Sequence, residues 1–196
     1  PAPPAAATAK GLGPVVALGA GCYWGTEKYI RKHFTKRFPG SIKSTRVGFM
    51  SPVAQHSFPK LSYKEVCTGR TGHVEVLCIE LHNPAAHFEE LLRFFFMFHD
   101  PTTRNRQLND RGSQYASFIF CQDEAQTAIA TRVRDELQQL LEARVIRTYA
   151  GRKVTTSISL LREFTPAHEA HQRYLEKNPN GYCNHRLRFQ QWPMLL

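Results

Sequence analysis

Apolar residues recur along the chain in two rhythms, and the change from one to the other marks the elements. Residues 15–18 are a short unbroken apolar run that Gly19, Ala20 and Gly21 follow, which predicts a strand and a turn. From Cys22 the period lengthens: Ile30, Phe34 and Phe38 fall four apart on one face of a helix that Pro39-Gly40 ends. Residues 42–49 read as a strand and 50–62 as a surface loop. Residues 73–81 alternate as a further strand. Asn83-Pro84 then opens a helix with proline at its first position, and Phe88, Leu91, Leu92, Phe95 and Phe96 form its apolar side. Residues 115–121 and 154–160 are expected strands. Residues 123–143 are an amphipathic helix carrying Ile129, Val133, Leu137 and Leu141. A last short helix is expected over 166–177, before the turn at Asn178-Pro179-Asn180-Gly181. The polar, irregular stretch 100–112 is long for a mere connector, which favours a functional role.

Strands and helices interleave, so the fold class is mixed α and β, with one mixed sheet and helices laid on it. A single domain is expected over 13–183. A loose Pro- and Ala-rich tail (1–12) precedes it, and a C-terminal tail of no clear period (184–196) follows.

Composition narrows the classes. Hydrophobic residues make up 42 %, which with the mixed charge pattern is a globular composition. The longest apolar run, Phe94 to Phe98, is far below the roughly 20 residues that span a bilayer, so no membrane role is expected. No secretory signal is read at the start. The net charge of +10 is dispersed, and no aromatic ribonucleoprotein signature accompanies it, so nucleic acid is not the expected partner. The five cysteines are odd in number and none sits in a CxxC pair. This points away from disulfide frameworks and zinc sites and towards a reducing compartment, the cytoplasm; a removed targeting peptide would instead allow the mitochondrion.

One cysteine stands apart. Cys22 follows a strand, is flanked by Gly19, Gly21 and Gly25, and begins a helix. A helix N-terminus favours thiolate over thiol, so a lowered pKa is expected. Tyr23 and Trp24 are placed to wall the sulfur with aromatic rings. Glu75 shares a strand face with Leu77, Ile79 and Leu81. If it is buried there its pKa rises and it becomes a proton donor; at an exposed strand end it is merely solvated. Asp110 and Tyr115 flank Gly112, and Tyr63 lies before Val66-Cys67; their side chains could hydrogen-bond an oxygen that gains charge, though each Tyr taken singly reads first as a core residue with a satisfied hydroxyl.

Taken together, GCYWGTE at 21–27, YKEVCTGRTGHVEV at 63–76, HDPTTRNRQ at 99–107, NDRGSQYAS at 109–117 and HQRYLEKNPNGYC at 171–183 resemble the A-type peptide methionine sulfoxide reductases. The resemblance implies an α+β fold, a two-layer α/β roll around a mixed β-sheet with a ferredoxin-like core. It implies reduction of the S epimer of free and protein-bound methionine sulfoxide by a monomer, with no metal or organic cofactor. Cys22 would attack the sulfoxide sulfur and become a sulfenic acid, and Glu75 would protonate the oxygen. Tyr63 and Tyr115 would assist, and Asp110 would orient the polar network. Gly21, Tyr23 and Trp24 would hold the substrate. Cys183 would resolve the sulfenic acid as a disulfide that thioredoxin reduces, with Cys67 the alternative resolving thiol. Leu108 stands where the family typically has Gly.

Rival classes make different demands. A Cys–His hydrolase using His171 or His73 would form an acyl-enzyme and consume no reductant. A binding module would capture oxidised methionine without turnover.

Overall fold

The computed structural model describes residues 11–53, 63–68 and 70–194, without the side chains of Tyr63 and Cys67. Most of the expected 50–62 loop and of the N-terminal tail lies outside the described residues.

β1 (Val15–Ala20) lies between two neighbours in the sheet, which is why its run is apolar on both faces. α1 (Tyr23–Lys28) starts at Cys22 and runs on through a π-helical stretch, Tyr29–Phe34, into α2 (Thr35–Arg37). Ile30 and Phe34 of the predicted stripe are buried. β2 (Ile42–Met50) pairs antiparallel with β3 (Val74–Leu81), and α3 (Tyr63–Cys67) lies between them in sequence. α4 (Pro84–Phe98) is capped by Asn83, whose side chain accepts the Ala86 N–H at 3.2 Å. β4 (Arg106–Gln107) and β5 (Asp110–Arg111) form a small hairpin in the polar stretch. Leu108 between them has φ +50, the left-handed region in which Gly is at ease.

β6 (Ser117–Cys121) pairs with β1, and α5 (Glu124–Glu142) begins at Asp123, whose side chain caps the Gln126 N–H. β7 (Ser157–Leu160) adds parallel to β6, and β8 (Phe164–Pro166) adds antiparallel to β2. The main sheet therefore runs β7-β6-β1-β3-β2-β8 and is mixed, as expected. Apolar faces of α4 and α5, including Leu91, Phe95, Val133 and Leu137, join the inner face of the sheet in one core. Among the described residues no helix is long and apolar enough to cross a membrane.

Three expectations need correction. The strand expected from 115 starts at Ser117, because Ser113–Tyr115 form a 3₁₀ turn. The strand expected from 154 starts at Ser157, because the Val154 N–H is taken by the Gln138 side chain at 2.8 Å. The helix expected over 166–177 is mostly absent: the segment is the end of β8, a 3₁₀ turn at Glu169–His171, and the short α6 (Tyr174–Lys177). Tertiary bonds outcompete the helix there. The Gln172 amide bonds both the N–H and the C=O of Val47 at 2.9 Å, as a neighbouring strand would, and Arg173 turns left-handed at φ +55.

The stretch 184–194, without period in sequence, is strapped across the molecule. Arg186 and Arg188 donate their N–H groups to Phe98 and Met97, and Leu187, Phe189 and Trp192 pack on the core. Arg188 meets Asp100 at 3.5 Å, with side chains 4 % and 6 % exposed. Removing one partner of a buried pair leaves the other charge uncompensated. Arg188→Ala should therefore destabilise the fold by about 3 kcal/mol, read from the midpoint of urea unfolding.

Candidate active site

Cys22 sits where β1 hands over to α1. Gly21 turns the chain at φ +87, and a Cβ there would strike the side chain of Gln107. A Cβ at Gly25 would collide with the imidazole of His185, whose Nε2 bonds the Ala20 carbonyl at 2.6 Å. The two glycines thus let the 100–112 stretch and the C-terminal strap close on the helix start. The half-buried sulfur receives the backbone N–H groups of Trp24 and Gly25. These favour thiolate, as the sequence suggests, but they do not win. Burial, and next the Glu75 carboxyl, push the thiol pKa well up, correcting the expected decrease. The resting sulfur carries its proton.

Glu75 is 1 % exposed, on a central strand opposite Phe49 of β2. The solvated-end alternative is thereby removed. Its Oε2 accepts the backbone N–H of Tyr23, the first residue of α1, at 3.1 Å. Burial pushes its pKa up to about 8; Asp110 adds to the rise and the Tyr23 N–H opposes it. A protonated carboxyl therefore stands beside the thiol near neutral pH. Being neutral, it no longer presses on the sulfur's proton.

Asp110 comes to the same place from β5. It accepts the Cys22 backbone N–H, the Tyr182 hydroxyl at 3.1 Å and the Asn184 amide at 2.7 Å, while burial raises its pKa. Asn184 also donates to the Gln107 carbonyl at 2.8 Å. Gln107, 1 % exposed, ties the stretch by bonding both the N–H and the C=O of Asp100. Tyr182 and Asn184 thus bracket Cys183 and anchor it to the cluster. Cys183 itself is half-buried and near Tyr29, whose hydroxyl donates to the His185 carbonyl at 3.0 Å. Both cysteines are free thiols.

Tyr115 is half-buried at the end of a 3₁₀ turn that lies against β3. Tyr63 begins α3; its side chain, like that of Cys67, lies outside the description. Tyr23 is 1 % exposed, packed on Phe49, with its hydroxyl on His171 Nδ1 at 2.8 Å. Trp24 is half-buried and stacked on Tyr174, with ring centres 3.8 Å apart. The structure therefore gathers Cys22, Glu75 and Asp110 directly, with Tyr23, Trp24 and the Cys183 segment around them. Tyr174, Tyr182, Asn184 and His185 are additions that the residue-by-residue reading of the sequence missed. Tyr174 and Tyr182 fall within the HQRYLEKNPNGYC segment, and Asn184 and His185 directly follow Cys183, which are the signals that could have found them.

The site sets a thiol at a helix start against a buried carboxyl in an α/β fold, an arrangement that suits cysteine chemistry assisted by an acid. The family model for peptide methionine sulfoxide reductase matches residues 14–194. A relative from Schizosaccharomyces pombe, a probable peptide methionine sulfoxide reductase, is 38 % identical over 169 residues, covering 86 % of this chain and 91 % of that protein. Mxr1 from Saccharomyces cerevisiae in reduced form superposes with a TM-score of 0.75 at 36 % identity, covering 89 % of this chain and 92 % of that one. Mxr1 in complex with Trx2 shares the fold with a TM-score of 0.55 at 24 % identity, covering 95 % of this chain and 97 % of that one. The chain belongs to the peptide methionine sulfoxide reductase family, and it is an oxidoreductase of that class.

The raised pKa of Glu75 has a consequence for stability. The folded state holds the proton up to about pH 8, whereas an ordinary Glu releases it near 4.5. The native state therefore binds more protons, and stability falls as pH rises through this window. Glu75→Gln should remove that loss. Relative to wild type it should gain roughly 2–4 kcal/mol between about pH 5 and pH 9 in chemical unfolding, and a constant difference would refute the assignment.

Proposed function

We propose that the protein reduces the S epimer of methionine sulfoxide, free and within oxidised proteins, and so repairs oxidative damage. The juxtaposition of the Cys22 thiol with the buried, proton-holding Glu75 carries this reading. A sulfoxide oxygen leaves poorly unless protonated, so a nucleophile needs an acid beside it. Cys22 attacks the sulfur as Glu75 hands its proton to the oxygen. The carboxylate left behind takes up the thiol's proton, so a thiol that is protonated at rest suits the cycle. Thiol and sulfoxide become sulfenic acid and methionine, with the oxygen moving to Cys22.

Tyr63 and Tyr115 donate hydrogen bonds as charge builds on the oxygen, and Asp110 orients the polar network. Tyr23 and Trp24, with Gly21, hold the methyl group in a neutral aromatic cage. Cys183 then attacks the sulfenic sulfur, water leaves, and a disulfide joins it to Cys22; thioredoxin reduces that disulfide. The anchoring of Tyr182 and Asn184 on Asp110 supports this role by holding Cys183 beside the site. The protein works as a monomer without metal or organic cofactor. The order β6-β1-β3-β2, with antiparallel neighbours, supports reading the centre of the sheet as a ferredoxin-like core.

Incubation with each sulfoxide epimer separately, with dithiothreitol, should consume the S form alone, and Cys22→Ser should abolish turnover. Cys183→Ser should lose at least about tenfold in turnover with thioredoxin yet keep activity with dithiothreitol, a small thiol able to reduce the sulfenic acid directly. Full thioredoxin-driven turnover by Cys183→Ser would rule out the relay.

A further inference from the structure

Glu27 has no part in the chemistry above, yet it is 3 % exposed, on the inner side of α1. A buried carboxyl is costly unless its oxygens are answered. Its Oε2 accepts the backbone N–H of Arg173 at 2.7 Å. Arg173 is the left-handed residue that begins α6, and the next residue, Tyr174, lies flat on the Trp24 indole with 15° between planes. The other oxygen, Oε1, is buried without a hydrogen-bond partner among the described residues, and so is Nε1 of Trp24. Both residues line one recess of about 10 Å³, completed by Lys28, Arg173, Leu175 and Glu176. That volume is at the lower limit for a single water, and two of the residues that line it carry an unanswered donor and an unanswered acceptor, the partners such a water needs.

We propose that Glu27 is a positioning residue for the substrate cage: one carboxyl oxygen fixes Tyr174 through Arg173, and the other holds the Trp24 indole N–H through one bound water. Trp24 is then gripped on its face by Tyr174 and at its nitrogen by Glu27, which leaves its ring one orientation. This rests on the reading of Trp24 as a cage wall. Burial pushes the Glu27 carboxyl up to about 7, and a water serves both protonation states. It accepts from the indole, and it either donates to the carboxylate or accepts from the acid.

The chain has two tryptophans, so its spectrum holds two indole N–H signals, and Trp192 bonds directly to Glu136. Glu27→Leu keeps much of the side-chain volume and removes both acceptors. The Trp24 signal should shift while that of Trp192 stays. KM for methionine sulfoxide should rise about tenfold with kcat within about twofold, the signature of lost binding. Glu27→Gln retains an acceptor for Arg173 and should bring KM back to within about threefold of wild type. A folded Glu27→Leu protein with unchanged KM, or a Trp24 signal that moves in neither variant, overturns the proposal. If Glu27→Leu does not fold, Glu27→Gln decides alone: its Trp24 signal moves, because an amide now meets the water, or the proposal falls. The underlying reading is tested separately in Cys22→Ser protein, where added methionine sulfoxide should shift the Trp24 signal. A signal that responds to Glu27→Leu but not to substrate upholds the tether and removes Trp24 from the cage.

Discussion

A carboxyl closed inside a sheet is tolerated only if it keeps its proton or finds donors, and Glu75 is held by burial towards the first while a backbone N–H answers one of its oxygens. That N–H belongs to Tyr23, at the first turn of α1, and the bond joins the start of β3 to the turn that follows β1. Much of the site is arranged about this junction. The same turn presents the Cys22 sulfur, so the buried carboxyl and the thiol are held together by one short turn and one hydrogen bond. Burial acts on both in the same direction, since each ionised form is penalised. The outcome is a pair in which acid and thiol both favour their protonated forms near neutral pH, the starting state that the proposed reaction requires.

Closure of the site from the side of the C-terminus depends on glycine. Gly21 and Gly25 lack the carbon that would meet Gln107 and His185, so two distant segments lie directly on the helix start. The strap beyond Cys183 is not decoration on a finished domain. It is bonded to the end of α4, paired through Arg188 with Asp100, and closed by Trp192 on Glu136. This anchoring on both sides leaves Cys183 in a segment whose neighbours Tyr182 and Asn184 are held by a few exposed or half-buried hydrogen bonds to Asp110. Bonds of that kind open more readily than the core, which suits the relay proposed for Cys183.

The polar stretch 100–112 shows how an irregular segment is made exact. Asp100 accepts from Thr102 and Ala150, Gln107 bonds back to Asp100, and a two-residue-by-two-residue hairpin delivers Asp110. Leu108 is held at its left-handed φ within that hairpin. The aromatic wall is built the same way, from Tyr174 on α6, whose entry is governed by Arg173 rather than by any helical preference of its own.

The amino-acid order alone determined the local facts. The four-residue spacing of Val133, Leu137 and Leu141, the Asn83-Pro84 start and the alternation through Glu75 are properties of neighbours along the chain, and each reappears in an element of the expected kind. The glycine-flanked position of Cys22 was equally legible, and so was the family, through its ordered motifs. Only the tertiary structure decided what distance in sequence hides. Periodicity could not say whether Glu75 was buried, because that depends on what covers β3. It could not give the direction of the Cys22 pKa, because the helix N-terminus is local while burial and Glu75 are not. Nor could it place 166–177 or 184–194, where Gln172 on Val47 and Arg188 on Asp100 override local preference with bonds made across more than eighty residues.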